Sequence, residues 1–256
     1  AMTNLYKVTD ETSERYNRFM SNSATSAKEI GRSVSSLINQ SADWAKLGYS
    51  IDEAEQLAKV SSVYANVGEV GDDTAVSDLV TAMKAFNIEA SDAITIVDAL
   101  NELGNNFATS AANLGDGLSR SASSMKLAGT SANETLAMLT GISEITQNAP
   151  EAGNALKIFS MRVRGMKGQL EELGEEVDSS VDSISKVQTQ ILNLTNGRIN
   201  IFDDNGEFRN YYEIMKDIAD IFDELKSVDQ ANLSEVLFGK QRGNTGAALI
   251  QAFQSG

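Results

Sequence analysis

The chain has 256 residues, 41% of them hydrophobic but only 6% aromatic, with one proline, no cysteine, no histidine and a net charge of −15. These numbers leave no disulfide framework and no thiolate metal site, and they remove the commonest general base and metal ligand. So acidic a surface points away from nucleic acid. The longest strongly apolar run, Ala93–Leu100, is far shorter than the roughly 20 residues a membrane span requires.

Residues 1–22 are polar and mixed in charge, and read as an N-terminal arm with a short helix over Asp10–Met20. A helical array follows over 23–150. Ser26–Leu47 predicts one helix: Ile30, Val34, Leu37 and Ile38 share a face, Ser26 and Glu29 have capping-box spacing, and Gly48 ends it. Trp44 lies at helical spacing from Leu37 and Leu47, which makes it core. Ser50 and Glu53 form a second capping-box pair and open a helix to about Val67. After a turn at Gly68–Asp73, helices are predicted over Thr74–Ala85, Ala90–Leu103 and Ser110–Leu127, with a break at Phe86-Asn87. Ser131 with Glu134 caps another, to about Gln147.

Residues 151–196 read as long heptad-patterned helices. Pro150 suits a first helical turn. Leu156, Phe159, Val163, Met166, Leu170 and Leu173 then follow a 3-4 alternation, which falters at Gly174 and resumes at Val177, Val181, Ile184, Val187, Ile191 and Leu194. That is coiled-coil-like patterning, against the chain itself or against a copy. In 197–256, Arg198–Phe202 alternates and Asp204-Asn205-Gly206 supplies a hairpin turn. Helices follow over Tyr211–Leu225, over Ser227–Phe238 with Ser227 and Gln230 at capping-box spacing, and over Ala247–Phe253 with Asn244 or Thr245 as cap. The fold class is therefore all-α: a multi-helix array with a long heptad-patterned segment and one small β-hairpin, the C-terminal part packing with the array as one unit.

Chemistry-bearing patterns are sparse. SxxK occurs as Ser123–Lys126 and Ser183–Lys186, but in serine-rich amphipathic helices and with no KTG partner. Asp203–Glu207 resembles a calcium loop, yet aligning Gly206 with the glycine of an EF-hand puts Ile201 where an oxygen ligand is required. No catalytic, cofactor or metal residue is assigned. Two stretches remain as candidate interaction sites. Gly239, Lys240, Arg242, Gly243 and Asn244 lie in a loop that either holds an anion or simply stops one helix and restarts the next. Lys157, Arg162, Arg164 and Lys167 form a basic stretch directly before Glu171, Glu172, Glu175, Glu176 and Asp178. The two blocks either pair within the chain or dock one copy on another.

An ordered series of short pieces resembles the conserved core of phage tail tape measure proteins. It includes Phe86-Asn87-Ile88, Ser91-Asp92, Val97-Asp98, Leu100-Asn101-Glu102 and Asn105–Ala108. It continues through Gly117–Ser124, Gln147-Asn148, Ser160–Gly165, Asn205–Phe208, Asp229–Asn232 and Gly239–Asn244. The similarity runs from about Ala42 to Phe253. It implies a structural protein of a bacteriophage or prophage tail, not an enzyme, that governs tail length and tube assembly and is expelled when the genome is ejected. Its implied partners are tail tube, tail-tip or tail chaperone proteins, with self-association open. Its implied location is the virion tail, after assembly in the host bacterial cytoplasm. The end at Gln254-Ser255-Gly256 carries no stop signal and points to a piece of a longer protein. The alternatives are a helical interaction module outside phages, an effector or scaffold, and an enzyme with a carboxylate or Ser–Lys site.

Overall fold

Short helices bury little alone, so each depends on its neighbours, and the chain divides by its contacts into two units. The structure is a computed structural model that describes residues 1–256. The first unit holds Ala1–Asn106 with Ser110–Gly115, and the second holds Phe107–Thr109 with Asp116–Gly256.

In the first unit run α1 (Met2–Tyr6), α2 (Ser13–Ile30), α3 (Val34–Lys46), α4 (Ile51–Val67), α5 (Asp72–Phe86), a 3-10 turn at Ala90–Asp92, and α6 (Ala93–Asn106). The N-terminal stretch, polar in sequence, nonetheless puts Leu5 and Phe19 into a core with Ile38, Ala42 and Ile51. The single helix expected over Ser26–Leu47 is two. Gly31 takes φ +74° and ends α2, and the Ser33 hydroxyl accepts the Ser36 N–H at 3.1 Å to start α3. Ser26 is buried within α2 and caps nothing. The Ser50–Glu53 capping box forms as expected, and Asn87, at φ +60°, stops α5 at the expected break. Trp44 is fully buried, and its indole N–H donates to the Ser61 hydroxyl at 3.3 Å. That hydroxyl and Ser62 share the amide of Gln40, so the polar atoms between α3 and α4 satisfy one another.

Helix α7 (Ala111–Leu127) starts in the first unit and continues in the second. The second unit adds α8 (Ala132–Thr146), α9 (Ala149–Val163), α10 (Lys167–Glu172), a 3-10 turn at Ser179–Val181, α11 (Ile184–Leu194), α12 (Tyr211–Phe222), α13 (Ser227–Phe238) and α14 (Gly243–Ser255). Helix α14 packs on α8 and α12, while α13 packs on α9, α11 and α14. No helix is long and apolar enough to cross a membrane.

Backbones meet closely where the sequence offers glycine. A Cβ on Gly117 would lie 2.6 Å from the Ala149 carbonyl, and one on Gly153 would lie 2.8 Å from the Gly117 Cα. The crossing of α7 and α9 is thus backbone against backbone. In the same unit, α7, α8 and α12 share a polar knot. Ser131 and Glu134 form the capping box of α8. The Asn210 amide donates to both Glu134 oxygens at 3.0 and 3.1 Å, and its own oxygen caps α12 through the Tyr212 N–H at 2.8 Å. The Tyr211 N–H donates to the Ala128 carbonyl, just beyond α7, at 3.0 Å.

Further expectations are corrected. The long heptad segment is broken into α9, α10, a 3-10 turn and α11. Gly165 and Gly174 both take positive φ, at +63° and +77°, and turn the chain where a continuous helix would run on. The seam fails at Leu173 and Ile184, which are 47% and 38% exposed. The hairpin is also absent: no strand forms, and Phe202 and Phe208 make one isolated antiparallel bridge. Side chains have taken the donors that would extend it into a ladder. Thr195 accepts the Ile199 N–H at 3.2 Å and Gln188 the Ile201 N–H at 2.9 Å. Finally, Ser227 is the first residue of α13 and not its cap, and α14 starts at Gly243, ahead of the caps expected at Asn244 or Thr245.

Two outcomes follow from these contacts. Gly153→Ala is expected to lower stability by about 1–3 kcal/mol through overpacking. Gly168→Ala, where nothing lies within 4 Å of the new Cβ, should raise it by about 0.4–1 kcal/mol; urea unfolding of both variants checks the contrast. Burial of Glu134 favours the neutral acid, but hydrogen bonds from the Ser131 backbone, Asn210 and the Ser131 hydroxyl outweigh it and hold the carboxyl below its ordinary 4.5. Its contribution is therefore present above pH 4.5 and is lost as pH falls through the lower folded-state value. Glu134→Gln should lose less stability than wild type on acidification below 4.5, measured by thermal melts across that window.

Candidate functional site

The basic stretch lies at the end of α9, and its two arginines turn to opposite helices. Arg162 follows Phe159 by three residues and precedes Val163, so helical geometry puts it on the buried face. It is 2% exposed. Its Nε donates to the Val236 carbonyl at 3.0 Å and its Nη2 to the Glu235 carbonyl at 2.9 Å. The Val236 carbonyl is among the last of α13, which have no partner within the helix. A cation there also meets the negative end of the helix dipole. Burial pulls the guanidinium pKa down, and the carboxylates of Asp178, Glu175 and Glu235 push it back up.

Arg164 does the same for α7. Its guanidinium donates to the carbonyl of Leu127, the last residue of that helix, and lies 4.3 Å from the centroid of the Phe208 ring. Burial lowers its pKa as well. Lys167 is held at the surface by Asp182 at 2.6 Å, with Glu171 at 3.9 Å. Lys157 is half-buried on α9.

The second candidate stretch lies beside the first. Gly239 takes φ +75° after α13, and a Cβ there would come within 3.3 Å of Arg162 Nη1. Lys240 pairs with Glu235 at 3.4 Å. Arg242 pairs with Glu175 and, at 3.7 Å, with Glu151. Gly243 and Asn244 are exposed in the first turn of α14. The structure therefore brings Arg162, Gly239, Lys240 and Arg242 together, while Arg164 and Lys167 face elsewhere. The acidic block meets the basic residues within this chain, at Arg242–Glu175 and around Arg162.

A cleft of about 190 Å³ is lined by Arg162, Glu176, Val177, Asp178, Glu235 and Lys240. Sequence reasoning had Glu175 and Asp178 in an acidic block that either pairs within the chain or docks a copy, and it missed Glu235 as a counter-charge. Only Arg162 carried a usable signal, since a cation on a buried face requires buried acceptors. The Ser–Lys pairs serve structure in one case: Ser183 caps α11 by accepting the Lys186 N–H at 3.3 Å, and Lys186 is held by Asp182 at 2.7 Å. Ser123 and Lys126 are both exposed on α7. No cluster of three or more acidic, histidine or cysteine side chains is arranged to hold a metal.

A family model described as phage-related minor tail protein matches residues 20–239. The chain belongs to that family. The match covers most of the chain and ends at Gly239, so it includes the arginine pair and leaves Lys240–Asn244 outside. The minor tail protein family carries a structural role in the phage tail, which implies association with other tail proteins. No solved structure matches the chain.

In this minor tail protein, Arg162→Met should leave the Val236 carbonyl without its partner, the Glu235 carbonyl keeping the Gly239 N–H, and lower stability by about 1–3 kcal/mol, while Arg162→Lys should recover part of it. Denaturant unfolding of the two variants checks the order.

Proposed function

We propose that this chain is a folded module of a tail tape measure protein, lying beside the extended part that sets tail length. The observation that carries this reading is the punctuation of the helices. The longest, α2, has 18 residues, about 27 Å at 1.5 Å per residue. Positive-φ residues such as Gly31, Asn87, Gly129 and Gly165 stop the helices between packed neighbours. A ruler converts residue count into distance, whereas this chain folds back at each stop.

In this reading the module contacts tail tube, tail-tip or tail chaperone proteins while the tail assembles in the host cytoplasm, and it leaves with the rest of the protein when the genome is ejected. The exposed ends of the basic stretch and of the Lys240–Asn244 loop are the surfaces offered for such contacts. An acidic exterior limits adhesion to the DNA that follows along the same channel.

The test is electron microscopy of particles from cells whose full-length gene lacks the codons for Leu156–Gly197. The expected result is absent or misassembled tails. Tails shortened by roughly 63 Å, the helical length of the deleted residues, would make the segment part of the ruler instead. Normal, infective particles would remove the tape measure reading and leave a generic helical interaction module.

A further inference from the structure

Helices α11 and α13 pack on each other and bring the same pattern of residues to one cleft. On α11, Gln190, Asn193 and Leu194 stand at i, i+3 and i+4; on α13, Asn232, Glu235 and Val236 do the same. Residues at that spacing share one face of a helix. The cleft they line has a volume of about 400 Å³, with Asp178 and Ser180 completing its wall. Ligand clefts are usually of this size, roughly 300–1,000 Å³.

The lining restricts what can occupy it. The side-chain amides of Gln190, Asn193 and Asn232 make no hydrogen bond within the chain. Asn193 and Asn232 are exposed and Gln190 is half-buried, so the amides form the accessible rims. Leu194, half-buried, and Val236, 6% exposed, supply aliphatic surface below them. Both carboxylates are engaged within the chain: Asp178 accepts the Ser180 N–H at 2.7 Å, and Glu235 pairs with Lys240 at 3.4 Å. Neither a cation nor an aromatic ring lines the cleft. A cationic ligand therefore finds its counter-charges taken, an anion finds none, and a nucleobase finds no ring to stack on. A sugar would set hydroxyls against Leu194 and Val236 without partners.

An extended peptide matches every part of the lining. Each side-chain amide carries an N–H and a C=O, the pair that a peptide unit also carries. Successive side chains of an extended chain point to opposite sides, so one aliphatic side chain can enter toward Leu194 and Val236 while its neighbours stay in water. From i to i+4 a helix rises about 6 Å, the length of about two extended residues.

We propose that the cleft between α11 and α13 binds an extended, uncharged segment of another tail protein. Gln190, Asn193 and Asn232 hold its backbone, and Leu194 and Val236 receive one aliphatic side chain. The inference rests on the assembly role proposed above for the partner being a tail protein. The site itself is tested on the isolated chain, where peptide binding does not depend on the fate of tails.

The experiment follows the side-chain amide signals of Gln190, Asn193 and Asn232 by heteronuclear NMR while a blocked pentapeptide, acetyl-Ser-Ser-Val-Ser-Ser-methylamide, is added. A saturable shift of all three signals in the millimolar range is expected. The double variant Asn193→Leu with Asn232→Leu should raise the dissociation constant about tenfold; both positions are exposed, and its backbone spectrum checks that the fold is kept. Two further probes decide even if that variant does not fold: the same peptide with lysine in place of valine, and maltotriose. Each should shift the three signals less than the valine peptide does at equal concentration. Absence of a saturable shift with the valine peptide overturns the proposal. So does tighter binding of the lysine peptide or of maltotriose, which would make the cleft a cation or saccharide site. Binding of the valine peptide that a folded double variant leaves unchanged overturns it as well.

Discussion

The second unit turns on one buried guanidinium. Arg162 comes from the end of α9 and closes the end of α13. Gly239 takes positive φ and turns the chain away; its N–H reaches the Glu235 carbonyl at 3.0 Å, and Arg162 adds a second donor to Glu235 and supplies one to Val236, whose helix offers none. A side chain at 239 would press on the guanidinium at 3.3 Å, so the glycine both stops the helix and makes room for the cation that caps it. A buried cation in turn requires negative charge nearby, and Glu175, Asp178 and Glu235 supply it. The course of the 166–183 loop and the placement of Arg242 at the head of α14 follow from that demand.

Arg164, two residues on, does for α7 what Arg162 does for α13. One short sequence, Arg162-Val163-Arg164, thereby fixes three helix ends relative to one another: those of α7, α9 and α13. Val163 between them is buried. A basic stretch that looks like a surface for anions is in its centre a device for finishing helices. The same economy appears at Glu134 and Asn210, where one carboxylate serves the cap of α8 and holds the residue that caps α12. In a unit of helices mostly 11–17 residues long, connecting the ends matters as much as burying the faces.

Local signals were the most legible. The capping boxes at Ser50–Glu53 and Ser131–Glu134, the stop at Asn87 and the proline at the start of α9 depend on residues within a turn of one another, and the structure shows them all. Long-range outcomes were not legible. The heptad spacing of Leu156 to Leu194 correctly marked most of its positions as buried, but periodicity reports which face is covered and not whether the helix is continuous. Gly31 and Gly165 decide continuity, and a glycine inside a periodic stretch reads as tolerated until its φ is known. The hairpin failed for a comparable reason. Alternation at Arg198–Phe202 placed Ile199 and Ile201 inward, yet Thr195 and Gln188 reached their backbone donors first. At the candidate site, the clustering of Arg162 with Lys240 and Arg242 was invisible because about 75 residues separate the two stretches, a span over which sequence spacing carries no distance.

The distribution of charge connects the fold to the tail setting. The chain has 21 basic and 36 acidic residues, and several basic ones near the site are committed inward or to a carboxylate. Arg162 and Arg164 hold helix ends, Arg242 holds Glu175, and Lys167 holds Asp182. Acidic residues such as Glu171, Glu172 and Glu176 stay exposed. Placing Arg162 and Arg164 in helix caps takes two cations off the surface of an already acidic chain. On the function proposed above, in which the module lies along the path of DNA, a net negative exterior would oppose adhesion to that polyanion, while the buried cations serve cohesion within the unit.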